Sequence, residues 1–342
     1  MGRSTIVDIA RRAGVSTATV DRVLNGRAGV AAANRHRVMQ AARDLGYLPV
    51  EGMVPLPSRP VHLEFFIPMV QNGFMGELVN GIRRFAATVP LVASCNIRAL
   101  DGFGPESLLP ALETVALRTS GIGLVAADHP KSREAIRRVC EAGVRVVTIA
   151  SDVPESGRSA YVGVDNTVAG RTAALLMGRM AGSPGGAVGL FVGSHAYDGH
   201  QGRETGFRTV LEREFPSLSL LPPIETGERS DRTRAAMTQL LRGTPDLAGV
   251  YCVGAGRTGI VAALEELRPP RRPLVVMHDI TDRTHAWLAD GVIDVIIDQN
   301  VQLVCEQAVI RLLGAIATSA PHLLLKNIEP RIILRENIPQ RE

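Results

Sequence analysis

Long apolar runs are missing from this 342-residue chain: no window approaches the roughly 18 consecutive apolar residues a spanning helix needs, which excludes membrane-spanning helices and a membrane partner. Lysine is nearly absent. Only Lys131 and Lys326 occur, neither preceded by glycine, so a glycine-lysine phosphate loop is lacking. The HExxH pair of zinc proteases and the GxSxG elbow of serine hydrolases are missing too. Cys95, Cys140, Cys252 and Cys305 lie far apart without a CxxC pair, which argues against a zinc site, a redox motif or a dense disulfide framework. The eight histidines form no ligand cluster; His195 and His200, five apart beside glycines, read as polar loop residues. Neither a metal nor a cofactor is therefore expected. The opening MGRSTIVDIARR carries Asp8, Arg11 and Arg12 where a secretory signal requires apolar residues, so a cytoplasmic location is expected and a secreted transport receptor is not.

What is present is ordinary globular composition, 45% apolar and 21% charged, in a chain longer than one comfortable core. Charge is unevenly spread. Residues 1–60 hold nine arginines, no lysine and four acids, a net of +5 that leaves −1 for the remainder. A basic leader on a near-neutral body suits a polyanion, because neutralising phosphates releases counterions.

Within that leader, Thr5 and Asp8 have capping-box spacing before the stripe Ile6, Ile9, Ala10 and Ala13, which predicts a helix over 6–13 ended by Gly14. Ser16 can cap a second helix, TATVDRVLN, with Val20, Val23 and Leu24 on one face and Gly26 closing it. A third segment places Val38, Ala42 and Leu45 at helical spacing and stops at Gly46. Three short helices with a glycine turn between the first two make a helix-turn-helix unit. Its second helix presents Thr17, Ala18 and Arg22 outward, where Arg22 can fork onto guanine and Thr17 or Ala18 can touch a thymine methyl.

TIVDIARRAGVSTATVDRVLNGRAGV followed by RVMQAARDLGYLP closely resembles the headpiece of the LacI/GalR family of transcription regulators, over residues 4–49 without a gap. The resemblance implies a double-stranded, pseudo-palindromic operator as partner, with DNA contacts at Thr5, Ser16, Thr19, Asn25 and Arg27 besides Thr17, Ala18 and Arg22. Two positions depart from the family. Asp21 stands where a small hydroxyl residue is usual. In VEGMVPLPSRP, Leu56 stands where a hinge-helix leucine would wedge into the minor groove, but Pro55 and Pro57 flank it and Pro60 follows. Proline inside a helix costs about 3 kcal/mol or more, so the expectation is a semi-rigid extended linker over 49–60, between a headpiece over 1–48 and a body over 61–342.

In the body, apolar strand-like runs alternate with amphipathic helical stretches: VHLEFFI, LVASCNI, IGLVAA and VRVVTIA in one group, then AVGLFVG, GVYCVG, PLVVMHD and DVIIDQN in a second. The helical stretch LLPALETVALR is expected to run to Arg118. This rhythm predicts an α/β fold of parallel sheets with helices on both faces, in two lobes. Lobe one is expected at about 61–161 plus 292–320, and lobe two at about 162–291 plus 321–337. Ligands in this architecture bind beyond the carboxyl ends of the strands, here in the cleft between lobes.

QNGFMGELVNGI, YVGVDNTVAGRTAA, GRETGFRTVL and VVMHDITDRTHAWLADGVIDVIIDQN make the body similar to the type I periplasmic sugar-binding fold, its ribose-binding branch above all, over about 61–335. The resemblance implies a small sugar, polyol or related hydroxylated effector. Asn72 and Phe74 match the polar group and ring set against the sugar, Asp152 the hydroxyl-binding aspartate, and Asp279 and Gln299 further polar contacts, with Arg203 in the GRETGF segment. Each carboxylate or amide is also a common cap or turn former. Gln201 replaces an arginine of ribose binders and Gly254 an asparagine, which makes ribose itself a poor fit; Arg257, His278 and His195 are candidate replacement donors. The combined resemblance implies a ligand-responsive DNA-binding repressor and no enzyme, assembled as a homodimer with a tetramer as the alternative.

One competing pattern stands beside this. Gly254, Gly256 and Gly259 form a GxGxxG after a strand, with Asp279 twenty residues beyond, the fingerprint of an NAD(P)-binding redox sensor or dehydrogenase. It lies deep in the second lobe, whereas such a fingerprint normally opens a nucleotide domain.

Overall fold

The structure, a computed structural model, describes residues 5–24, 29–45, 56–69, 73–181, 185–317 and 328–339. Asn25, Gly26, Arg27, Gly46 and Asn72 therefore lie outside the described residues.

Three helices build the N-terminal unit: α1 (Ile6–Ala13), α2 (Thr17–Leu24) and α3 (Ala32–Asp44). Thr5 opens α1 with the expected box: its hydroxyl accepts from the Asp8 N–H, while the Asp8 carboxylate accepts from the Thr5 N–H at 2.9 Å. Gly14 ends the helix at φ +64°, a conformation glycine adopts without steric cost. The Ser16 hydroxyl accepts from the Thr19 N–H at 3.2 Å and so starts α2. Ile9 and Ala13 then meet Val20, Val23 and Val38 in a small core of their own.

The first lobe comprises β1 (Val61–Pro68), α4 (Gly73–Thr88), β2 (Val92–Leu100), α5 (Pro105–Glu113), β3 (Gly121–Leu124), α6 (Pro130–Glu141), β4 (Arg145–Ile149) and β5 (Ala160–Val162). Its sheet is wholly parallel in the order β2-β1-β3-β4-β5. Helix α5 stops at Glu113 rather than Arg118. The Thr114 hydroxyl turns back onto the Ala111 carbonyl at 3.0 Å, and Arg98 donates to the Thr114 carbonyl at 3.1 Å, so the last turn is capped there.

The second lobe comprises α7 (Asn166–Met180), β6 (Gly186–Val192), α8 (Asp198–Glu214), β7 (Leu218–Leu220), β8 (Ile224–Glu225), α9 (Ser230–Gly243), β9 (Leu247–Cys252), α10 (Arg257–Leu267), β10 (Leu274–His278), α11 (Asp282–Ala289) and β11 (Val295–Asp298). Helix α12 (Val301–Ala317) returns to the first lobe, and β12 (Arg331–Ile333) closes the second sheet. That sheet runs β12-β11-β10-β9-β6-β7, with β8 beside β6, and only β12 is antiparallel. Both sheets are covered on both faces by helices, as the apolar strands require.

The lobe boundaries differ from expectation at three places, the first being that Val162 ends β5 and Val164 packs in the first-lobe core. Strand β11 pairs with β10, Val276 opposite Val295, so the chain crosses back after Asp298 and not at residue 292. Ile328, expected in the second lobe, bridges Val164 and joins the first-lobe core. Among the described residues, no helix is long and apolar enough to cross a membrane.

Candidate functional site

On the headpiece, Thr17, Ala18 and Arg22 are exposed on one side of α2, opposite the buried Val20 and Val23. Thr5, Ser16 and Thr19 sit at the starts of α1 and α2 with their hydroxyls engaged in caps. Leu56 is 57% exposed, and residues 56–60 carry no helix.

Where the carboxyl ends of the two sheets face each other, a cavity of about 50 Å³ is lined by both lobes. Phe74, Phe103 and Ser151 come from the first lobe; His200, Arg203 and Asp279 come from the second; Gln299 lies at the crossing. Tyr197 of the second lobe packs on Phe103 of the first with ring centroids 4.3 Å apart, so the lobes are closed on each other. An open groove of about 1260 Å³ along α4 and α11 is larger. Chemistry nonetheless concentrates in the small cavity. Ala150, Glu228 and Asp279, three of six left-handed non-glycine residues among those described, line it. Such backbone strain typically costs about 1 to 3 kcal/mol each and gathers at functional sites.

Arg203 is 5% exposed and organises the second-lobe wall. Its Nε donates to Asn166 Oδ1 and its Nη1 to the Val253 carbonyl, both at 2.8 Å. Arg257 donates to the His278 carbonyl and stands 3.8 Å from the Asp279 carboxylate, to which Gln299 Nε2 also donates at 2.7 Å. Burial raises the Asp279 carboxyl, and Arg257 and Arg203 pull it back down. Burial pushes His200 down to about 3, with Arg203 adding to the effect, so its imidazole is neutral. Ser151 Oγ and Gln299 Oε1 are buried against the cavity without a hydrogen-bond partner. A ligand with hydroxyls satisfies both kinds of group.

The structure thus brings together Phe74, Arg203, Gly254, Asp279 and Gln299 from the sequence expectations. Asp152 is a correction: Arg158 forks onto both its carboxylate oxygens and the Thr148 hydroxyl donates to it at 2.6 Å, which leaves Ser151 to face the cavity. Gln201 is exposed and donates to the His195 carbonyl instead of lining the cavity. Arg257 stands behind Asp279 rather than on the wall, and His278 is buried against Tyr251 at 2.7 Å. Phe103, Ser151, Tyr197, His200 and Glu228 went unassigned as ligand contacts in the sequence.

His195 joins Glu204 at 2.8 Å and Glu225 at 3.2 Å, tying down the loop that leads through Tyr197 into α8, where His200 sits in the first turn. Burial alone would lower its pKa, but the two carboxylates raise it above the ordinary imidazole value. The tie is therefore fully present below about pH 6.5 and lost as pH rises through the folded value. His195→Gln is expected to remove that pH dependence from thermal unfolding, an effect of about 0.5 kcal/mol or less at this exposed position. Equal slopes for wild type and variant would remove the tie.

The glycine fingerprint is spent on packing. A Cβ on Gly256 would strike the Thr233 hydroxyl, and one on Gly259 the Ser230 carbonyl. The Ala255 N–H at the start of α10 is taken by the Glu228 carboxylate at 3.0 Å, where a pyrophosphate would have to sit. The glycines of the dinucleotide expectation thus have a packing role here, and one amide beside them is already engaged. Among the described residues, no group of three His, Cys, Asp or Glu side chains could hold a metal ion.

Residues 5–50 match the family described as bacterial regulatory proteins, lacI family, and residues 64–319 match the periplasmic binding protein domain. Catabolite control protein A of Priestia megaterium is 39% identical over 85 residues, 24% of this chain and 25% of that protein. The transcriptional repressor CytR of Escherichia coli K12 is 35% identical over 96 residues, 27% of this chain and 28% of the repressor. The chain thus matches about a quarter of the length of these regulators. A solute-binding protein of Burkholderia graminis in complex with D-arabinose superposes with a TM-score of 0.75 at 22% identity, over 83% of this chain and 98% of that one. The glucose-galactose binding protein GanP of Geobacillus stearothermophilus gives 0.72 at 20% identity, over 83% and 100%.

Proposed function

We propose, from the premise that this chain belongs to the LacI/GalR family of regulators with a periplasmic binding protein domain as its body, that it is a cytoplasmic repressor whose operator affinity is set by a small hydroxylated effector. One observation carries the reading. A basic headpiece with an exposed Thr17, Ala18 and Arg22 face is joined to a body whose two lobes close over buried, unpartnered hydrogen-bonding groups. The headpiece inserts α2 into the major groove, where Arg22 forks onto guanine and Ala18 or the Thr17 methyl meets thymine. A homodimer places two such helices one helical turn apart, roughly 34 Å, on a pseudo-palindromic operator. Effector bound between the lobes favours the closed state, and the lobe movement alters the spacing of the headpieces. The reading assigns no catalytic step to the cavity, and the curated relatives are regulators.

The test begins with selection of an operator from randomised duplexes by the full chain. Arg22→Ala is expected to cost about 1 to 3 kcal/mol on the selected sequence and to relax preference at one base pair, while binding to random DNA changes little. Equal loss on both DNAs would remove Arg22 from base reading. Effector is expected to shift operator affinity by about 1 to 3 kcal/mol, and a body that binds sugars without any such shift would sink the regulatory coupling.

A further inference from the structure

Gly193 and Gly254 lie on either side of a carboxylate that the fold goes to some length to place. A Cβ on either glycine would fall inside the van der Waals surface of Glu228 Oε1, and His200 Cε1 is also within 2.8 Å of both positions. The glycines therefore leave room for one carboxylate and one imidazole. Glu228 reaches that space from the loop before α9 at φ +64°, the left-handed region that a side chain disfavours. Its side chain is 9% exposed, accepts from the Ala255 N–H and stands 3.8 Å from His200 Nε2. One amide does not offset the burial of a carboxylate in a strained backbone.

The surrounding charges and lone pairs narrow what Glu228 faces. Within the cavity and directly behind it stand two guanidiniums, Arg203 and Arg257, and two carboxyl groups, Glu228 and Asp279; Arg257 stands 3.8 Å from Asp279 and Arg203 donates to Asn166 and the Val253 carbonyl, so the site holds no excess of basic over acidic side chains. Gln299 uses its amide N–H on Asp279, so its partnerless Oε1 needs a donor. A ligand hydroxyl can donate to it; a ligand carboxylate or phosphate cannot.

We propose that Glu228, set with His200 over Gly193 and Gly254, is a ligand-contacting specificity residue, and that the effector is a neutral polyhydroxylated compound whose hydroxyls donate to Glu228 and to Gln299 Oε1. The inference rests on the cavity being the effector site. In its carboxylate form Glu228 can accept two vicinal hydroxyls and repels the acidic forms of the same skeleton.

The test titrates the full chain, by thermal shift and calorimetry, with matched sets of a neutral aldose, its alditol, its aldonate and its terminal phosphate across the pentoses and hexoses. At least one neutral member is expected to bind, with its aldonate and phosphate at least tenfold weaker. Glu228→Gln keeps the bulk and an acceptor for Ala255, and is expected to weaken the neutral compound tenfold or more and to narrow the gap to the aldonate. Gly254→Asn is expected to abolish binding, because its Cβ meets Glu228. Glu228→Asp, which retains the carboxylate with a shorter reach, is expected to keep the preference for the neutral compound over its aldonate at lower affinity, which keeps the inference testable if Glu228→Gln folds poorly. Unchanged affinity in Glu228→Gln, preference of the wild type for an anionic member, or no binding by any member overturns the proposal. Operator binding on the same samples separates the two readings. An aldonate that binds and shifts operator affinity keeps the regulator and sinks this inference, whereas a neutral compound that binds through Glu228 and leaves the operator untouched does the reverse.

Discussion

Arg203→Ala is expected to remove about 3 to 5 kcal/mol of stability from the second lobe, and effector binding with it, because its guanidinium makes two buried hydrogen bonds and lowers the pKa of two buried carboxyls nearby. The guanidinium ties the first residue of α7, through Asn166, to the end of β9, through the Val253 carbonyl. Its loss strands two buried acceptors and leaves Glu228 and Asp279 with Arg257 as the remaining cation beside them. Burial already raises Glu228, with the Ala255 N–H, Arg257 and Arg203 pulling it down; deleting Arg203 raises it further. A carboxyl whose folded pKa is raised carries no penalty while it is protonated in both states, below about pH 4.5, and an increasing one as pH rises through the folded value. The deficit of the variant should therefore grow from acid to neutral pH. Urea unfolding followed by the fluorescence of the single tryptophan, Trp287, measures it. A loss under about 1 kcal/mol, independent of pH, would mean that Arg203 is not the hub of this wall.

The parts of this molecule that are legible in its sequence are those set by neighbours a few residues away. Thr5 and Asp8 cap α1 within one turn, and Gly14 ends it with its own backbone. Phe74, Asp279 and Gln299 are legible for a related reason: each lies just beyond a strand, where the architecture opens its cleft. Side-chain direction is another matter. Asp152 stands at such a strand end too, but Arg158, six residues on, captures its carboxylate, and only the folded loop decides that pairing. The run Val295–Asp298 is plainly a buried strand, yet nothing in an apolar run says which of two sheets it joins. Glu228 is hardest of all, since ETGERSDR reads as a solvated charged turn before a helix cap. The available clue was negative: Gly254, where the related binders place an asparagine, leaves a hole that some other polar side chain has to fill.

The second large effect is expected at Gly170, where helices α7 and α8 touch backbone to backbone. A Cβ there would fall on the carbonyl oxygen of Arg203, and one on Gly206 would fall on the carbonyl of Thr167, so each helix gives the other a glycine. A side chain can rotate out of such an overlap, but a helical carbonyl cannot. The pair must separate instead, opening the core in which Ala173 and Ala174 pack with Phe207 and Leu211. Overpacking typically costs about 1 to 3 kcal/mol, and a rigid partner lies at the upper end, against a gain of about 1 kcal/mol in helix propensity from glycine to alanine. Gly170→Ala should therefore lose about 2 kcal/mol net in urea unfolding. Gly206→Ala should add less than its own share to that variant, since one separation relieves both overlaps. Gly76 supplies the control. It lies inside α4 with nothing within 4 Å of its Cβ position, so Gly76→Ala should stabilise by up to about 1 kcal/mol. Because Gly170 bears on Arg203 itself, its variant should lose effector affinity in step with stability while operator binding by the headpiece persists. A Gly170→Ala protein as stable as the Gly76→Ala control would show that α7 and α8 are not in backbone contact, and the placement of Arg203 by that contact would fall with it.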